Sequence, residues 1–131
     1  MKRYVEEAGT ALVRDLLAAE TSATARFTQT EIASALARRF REGAFSEAHR
    51  DRALSALAVD FDTLTLVELT ESVVSRSVAL LLKHPLRPAD ALQLASCLEL
   101  RERLSLPVVF VAWDARLLEG ARAEGLETKP D

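Results

Sequence analysis

The spacing of apolar residues along the chain predicts a series of helices. In Glu7–Ala18 and Thr28–Arg41, apolar side chains recur every three or four positions, which places them on one helix face. Ser46 and Thr70 are residue types that favour the N-cap position, and Pro88 suits a first helical position. The predicted helices are Glu7–Ala18, Thr28–Arg41, Ser46 to about Val59, Thr70 to about Lys83, Pro88–Leu104, and a last one from Asp114 to Gly125.

Short runs rich in β-forming residues separate these helices. The predicted strands are Ala23–Phe27, Leu64–Leu69, Val108–Val111 and Leu126–Lys129. Val108–Val111 is wholly apolar, which is typical of a parallel strand buried on both faces. Strands that alternate with helices predict an α/β fold with a parallel sheet covered on both sides. Since no repeat, low-complexity run or linker divides the chain, residues 1–131 are predicted to form one domain.

Composition and charge exclude several classes of protein. The chain is 49% hydrophobic and 28% charged, as expected of a globular domain, and no apolar run approaches the roughly 20 residues of a membrane span. Cys97 is the single cysteine, so no internal disulfide forms, which suits the cytoplasm, and it is interpreted as a small core residue. The net charge of −3 excludes a general basic surface, so any RNA must be held by a local patch.

Three acidic residues occupy comparable places in the predicted fold. Glu31, Asp90 and Asp114 each lie at the first turn of a helix, and Asp114 directly follows the strand Val108–Val111 and its exit residues. In a parallel sheet, such turns gather beyond the carboxyl ends of the strands. Three converging carboxylates repel one another unless a cation neutralises them, and carboxylate ligands suit Mg²⁺ or Mn²⁺. This interpretation predicts a metal-dependent phosphodiesterase.

A structural interpretation of the same acids stays open. Thr28 and Glu31 fit the spacing of a capping box, with Thr28 as the N-cap. Asp90 and Asp114 suit helix N-termini because the helix dipole favours negative charge there.

Four segments, in register along the chain, resemble the motifs of PIN domains. Residues Thr28–Arg39, Arg87–Ala95 and Phe110–Leu117 resemble the segments that carry the second, third and fourth acids of that family. Lys2–Gly9 is similar to the segment that follows the family's first acid. The group most similar in order and spacing is the VapC-type toxins of bacterial toxin–antitoxin pairs.

The resemblance implies a three-layer α/β/α fold with a parallel sheet and an Mg²⁺- or Mn²⁺-dependent endoribonuclease toxin. It implies that Glu31, Asp90 and Asp114 are the catalytic and metal-binding acids. It further implies a homodimer in the cytoplasm, inhibited by a small VapB-type antitoxin. The apolar faces of Glu7–Ala18 and Thr28–Arg41 are candidate antitoxin surfaces, although packing on the sheet explains them equally well.

The start of the chain departs from the family pattern. PIN domains open with a central strand ending in an Asp, and here Met1 stands where that strand should already be complete. One hypothesis is a misplaced start or a truncated chain, with a longer natural protein. The other is a natural short chain with impaired catalysis, which acts as an antitoxin-binding module.

Several other residues are candidates for RNA contacts. Thr28, Arg87 and Arg116 are the candidate RNA-binding residues, and Arg26, Arg38 and Arg39 are candidates for the same local patch. Solvated helix faces explain most of these arginines equally well, and an N-cap role explains Thr28.

The histidines and the single tryptophan have simpler interpretations. His49 and His84 lack the spacing of a metal pair and are predicted to be surface residues. Trp113 adjoins Asp114 and either stacks on a base or packs in the core.

Overall fold

A computed structural model describes residues 22–105 and 107–130 of the chain. Within these ranges it contains five helices and four short strands, in the order β1 Ala23–Ala25, α1 Thr28–Arg41, α2 Glu47–Phe61, β2 Thr65–Val67, α3 Glu71–Lys83, α4 Pro88–Leu104, β3 Val109–Val111, α5 Ala115–Ala123 and β4 Glu127–Lys129. The helix predicted at Glu7–Ala18 lies outside the described residues. None of the helices in these ranges combines the length and apolar character that crossing a bilayer demands.

Two helices, α2 and α3, begin at capping residues that the sequence indicates. Ser46 Oγ accepts a hydrogen bond from the His49 backbone N–H at 3.1 Å. Thr70 Oγ1 accepts one from Val73 N–H at 3.2 Å. These bonds satisfy N–H groups that have no partner within the helix. α4 begins differently, with Pro88 in its first turn and no side-chain cap.

The predicted capping box at Thr28 is wrong, although α1 begins at that residue. Phe27 occupies the N-cap position with helical dihedral angles, and it makes no side-chain cap. Thr28 is therefore already helical, and its buried hydroxyl accepts a hydrogen bond from Thr24 Oγ1 at 3.0 Å.

Glycines end two helices through the same backbone motif. Gly43 and Gly125 follow α1 and α5 with φ angles of +80° and +86°. Gly125 N–H bonds to the Arg122 carbonyl and Leu126 N–H to the Ala121 carbonyl, both at 3.0 Å. This pattern closes a helix with a residue in the left-handed region, where a side chain is strained.

The strands are shorter than predicted because the chain turns at their ends. The backbone carbonyl of Arg26 accepts a hydrogen bond from the Gln29 N–H at 3.3 Å, so a turn follows Ala25. β1 and β2 form one two-stranded sheet. β3 and β4 form another and run parallel, with Phe110 opposite Thr128. The mixed α/β prediction is thus confirmed.

The chain divides into two compact units, residues 1–66 and 67–131. The first-unit core packs α1 against α2 through the buried side chains Ile32, Leu36, Leu57 and Phe61. The second-unit core consists of Val67, Val73, Leu80, Leu94, Ala95, Leu98, Phe110, Leu117, Leu118, Ala121 and Leu126. This core holds α4, β3 and α5 together, and these are the elements that carry Asp90 and Asp114.

Polar side chains add a second link between α3 and α4. Ser72 Oγ donates to the buried Glu99 carboxylate at 2.8 Å. The Arg76 guanidinium lies 3.3 Å from Glu99 Oε2 and also pairs with Glu102. A buried carboxylate is tolerated where such donors surround it, so this cluster fixes the register of the two helices.

Candidate active site

Two of the predicted acids lie at the starts of α4 and α5, within the second unit. Asp90 lies in the first turn of α4, and its side chain is partly exposed. Asp114 follows β3 as the N-cap of α5, where its Oδ1 accepts a hydrogen bond from Leu117 N–H at 3.0 Å. The structural role proposed for Asp114 is therefore present. That bond uses one carboxylate oxygen, and the exposed side chain leaves the other available to a ligand.

The two acids influence each other electrostatically. Burial raises the pKa of Asp90, and the negative charge of Asp114 raises it further, while the positive charge of Arg87 acts in the opposite direction. Repulsion of this kind requires two carboxylates close together in space, although 24 positions separate them in the chain (114 − 90). Asp114 thus lies near enough to Asp90 to contribute to the electrostatic environment of its carboxyl.

This acid pair has the chemistry of a hard-cation site. Mg²⁺ and Mn²⁺ prefer carboxylate oxygens and are usually held by one or two carboxylates, with the remaining ligands from water and substrate. A cation between the two acids would remove the repulsion that raises the pKa of Asp90. Within the described ranges, no group of three or more His, Cys, Asp or Glu side chains is placed to hold a metal ion. The pair fits a metal as a partial ligand set.

Glu31 is the third predicted acid and belongs to the first unit. It lies in the first turn of α1 with an exposed side chain. Its participation in a metal site with Asp90 and Asp114 stays a prediction.

The predicted RNA-contacting residues differ in their accessibility. Arg87 is the N-cap residue of α4 and Arg116 lies in the first turn of α5, and both side chains are exposed. They therefore flank the acid pair on the same two helices. Thr28 is buried, so its hydroxyl is less suited to a contact with substrate. Arg38 and Arg39 lie in the last turn of α1.

One polar cluster was not predicted from the sequence. The prediction that His84 is a surface residue is wrong, because its side chain is only 15% exposed and its Nε2 lies 2.7 Å from Glu124 Oε2. Lys83 Nζ lies 3.1 Å from the same oxygen. The hydrogen bond with His84 and the pairing with Lys83 lower the pKa of Glu124. His49 is exposed as predicted.

Cys97 shows no sign of a catalytic role. It packs against the second-unit core, as predicted for a small core residue. Burial raises the pKa of its thiol to about 11, with Arg101 opposing the shift. Because the thiolate is the reactive form, a cysteine with this pKa is a poor nucleophile at neutral pH.

Comparison with known families identifies the family of the chain. A family model described as the PIN domain matches residues 4–117, which include Glu31, Asp90 and Asp114. No curated protein matches the chain. PIN domains are generally nucleases, and those nucleases generally use divalent metals. Since the family model covers most of the sequence, from a point near its start to the first turn of α5, the chain belongs to the PIN domain family.

Proposed function

We propose that this protein is a metal-dependent endoribonuclease, and that Asp90 and Asp114 form the centre of its active site. The observation that carries the proposal is the electrostatic coupling of these two acids at the starts of α4 and α5, in a chain of a nuclease family. A structural role alone does not require two N-terminal acids to approach each other, because each helix dipole accommodates its own acid.

The chain's own residues would act on the substrate as follows. Asp90 and Asp114 would hold Mg²⁺ or Mn²⁺ through carboxylate oxygens. A bound divalent cation supplies Lewis-acid stabilisation of the negative charge that develops on the phosphate. Arg87 and Arg116, exposed beside the acids, would bind the flanking phosphates and hold the RNA strand in place.

Cleavage of RNA by matched variants tests the proposal. The substrate is a labelled single-stranded RNA, with Mn²⁺, Mg²⁺ or EDTA present. Asp114→Asn is an informative variant because asparagine caps helices about as well as aspartate, so it removes the charge and keeps the cap. We expect Asp90→Asn and Asp114→Asn to lower cleavage by about 100-fold or more, since each removes a metal ligand. Glu119→Gln, an exposed acid on α5, is the control.

Melting temperature provides the second readout. Mn²⁺ binding to the folded chain raises the melting temperature by linkage. We expect this shift in the wild-type chain and in Glu119→Gln, and its loss in Asp90→Asn. Cleavage that persists in EDTA, or that both Asp→Asn variants retain, contradicts the proposal.

We further propose that the enzyme is a VapC-type toxin that acts in the cytoplasm. This part of the proposal is supported by the resemblance of the motifs at Thr28–Arg39, Arg87–Ala95 and Phe110–Leu117. It includes a second copy of the chain and a small VapB-type antitoxin as partners. The mass of the purified chain in solution tests the homodimer, and growth arrest on expression that Asp90→Asn relieves tests the toxin.

A further inference from the structure

Trp113 occupies a constrained position beside the acid pair. It lies in a bend between β3 and α5, directly before Asp114. The backbone is fixed on both sides, because Ala112 N–H donates to the Lys129 carbonyl at 3.2 Å and Leu117 N–H holds the Asp114 carboxylate at 3.0 Å. The backbone that carries the indole is thus held on both sides, at the end of the parallel strand pair.

Several side chains near Trp113 in the chain belong to the second-unit core or pack against it. Phe110 and Leu117 belong to the second-unit core, and Ala112 packs against it. Trp113 itself is partly exposed, whereas Leu117, on the far side of the turn, is only 5% exposed. A large aromatic side chain that keeps exposed surface at the edge of a core can offer that surface to a ligand.

The negative charge around the acid pair means that an uncharged contact with a base would strengthen RNA binding there. The chain has a net charge of −3, and the two acids add local negative charge that repels phosphates in the absence of a cation. Stacking on an aromatic ring adds about 1–3 kcal/mol per base and does not depend on charge. An aromatic residue beside the acids can therefore hold RNA where arginines alone are opposed.

We infer that Trp113 is a substrate-binding residue, which stacks on an unpaired base next to the phosphate positioned at Asp90 and Asp114. The inference rests on the proposed nuclease function. It adds a contact with a base, and this contact favours single-stranded over double-stranded RNA. The ring beside the acids can reach a base only where that base is not already stacked within a duplex.

The fluorescence of the chain reports on this residue alone, because Trp113 is the single tryptophan. The full chain is titrated in EDTA with a single-stranded RNA of about 10 nucleotides, the length of a typical single-strand binding site. The same titration is made with a strand of equal length that lacks bases, and with the duplex form. We expect the base-containing single strand to quench the emission, and the other two to quench it much less.

Two variants connect the stacking contact with catalysis. We expect Trp113→Leu to weaken binding of the single strand by about 5- to 100-fold, the loss of one stacked base. Trp113→Phe keeps an aromatic face and should retain most of the affinity. In cleavage assays the loss should fall on KM more than on kcat, and it should be the same at low and high salt because stacking is not ionic. If Trp113 acted only by packing in the core, its replacement by leucine would not change KM more than kcat.

The outcomes separate this inference from the proposed function. Quenching without metal-dependent cleavage supports the base contact and contradicts the nuclease. Cleavage that depends on Asp90, without quenching and with Trp113→Leu as active as wild type, supports the nuclease and overturns the base contact. Equal quenching by the strand without bases also overturns it, because phosphates would then cause the signal. The wild-type titration decides the matter even if Trp113→Leu fails to fold.

Discussion

At the scale of single residues, the negative charge of Asp90 that the proposed activity needs lowers the stability of the folded chain at neutral pH. Its pKa is raised by burial and by Asp114, so the folded chain binds this proton more readily than the unfolded chain does. Stability from such a group is present at low pH and is lost as the pH rises above the unfolded aspartate pKa. At neutral pH, without divalent cations, we expect Asp90→Asn to raise the melting temperature by no more than about 2 °C, because solvent screens the partly exposed carboxyl. The gain should vanish below about pH 4, near the ordinary aspartate pKa, and Glu119→Gln should show none. A lower melting temperature in Asp90→Asn at neutral pH would contradict this.

Two glycines provide a matched test of backbone conformation. Gly120 is helical, and a Cβ there would meet Leu86 and His84 at ordinary contact distances of 3.7–3.8 Å. We expect Gly120→Ala to raise the free energy of unfolding by about 0.5–1 kcal/mol. Gly125 has a φ of +86°, so Gly125→Ala should lower it by about 1 kcal/mol. Urea denaturation measures both, and a loss of stability in Gly120→Ala would mean that the core around His84 cannot accept a methyl group.

Sequence reasoning at this scale succeeds for local contacts and fails for distant ones. Ser46 and Thr70 cap the helices that follow them because their partners lie three residues away. The hydrogen bond between His84 and Glu124 joins residues 40 positions apart, and no periodicity indicates it. The prediction that Thr28 caps α1 fails for a local reason, since Phe27 adopts helical angles and takes the capping position.

At the scale of elements, α3 presents two leucines in opposite environments. Leu80 is 2% exposed and belongs to the second-unit core, whereas Leu82 is 85% exposed. We expect Leu80→Ala to lower the free energy of unfolding by about 2–5 kcal/mol and Leu82→Ala to change it by less than about 0.5 kcal/mol. Both variants place the same residue in the same helix, so propensity cancels. A large loss for Leu82→Ala would show that something covers this face in solution.

The bounds of long elements are more predictable than those of short ones. Thr28–Arg41 and Pro88–Leu104 match the predicted helices at both ends, because a helical period repeats several times within each. Each strand has three residues, too few for a period to appear, and turns such as the one after Ala25 set its limits. β-propensity alone therefore predicted strands that are too long.

At the scale of the whole molecule, the sequence predicts a site from the places of single residues. Asp90 and Asp114 are predicted to converge because both stand at helix starts in an α/β pattern, and the structure places both at those helix starts. Glu31 lies in the other compact unit, and periodicity within an element carries no information about how distant elements meet. The prediction of a single domain and the membership of Glu31 in the site stay predictions for the same physical reason.

The net charge of the molecule gives a final test of how RNA is held. With a net charge of −3, attraction must come from a few local cations, and Arg87 and Arg116 are exposed cations at the starts of the helices that carry the acids. Each phosphate contact on a single strand adds about −0.7 to the slope of log binding constant against log salt, so two contacts predict a slope of about −1.4. Arg87→Gln and Arg116→Gln should each reduce the slope by about 0.7, measured by fluorescence anisotropy of labelled RNA.

Arg52→Gln, an exposed arginine on α2, is the matched control and should leave the slope unchanged. A wild-type slope several times steeper would mean that a wider basic surface binds the strand. Such a surface would include further arginines, and Arg38 and Arg39 in the last turn of α1 would be the next to replace. A shallow slope that neither variant alters would instead assign most of the affinity to contacts that salt does not weaken, as stacking on Trp113 requires.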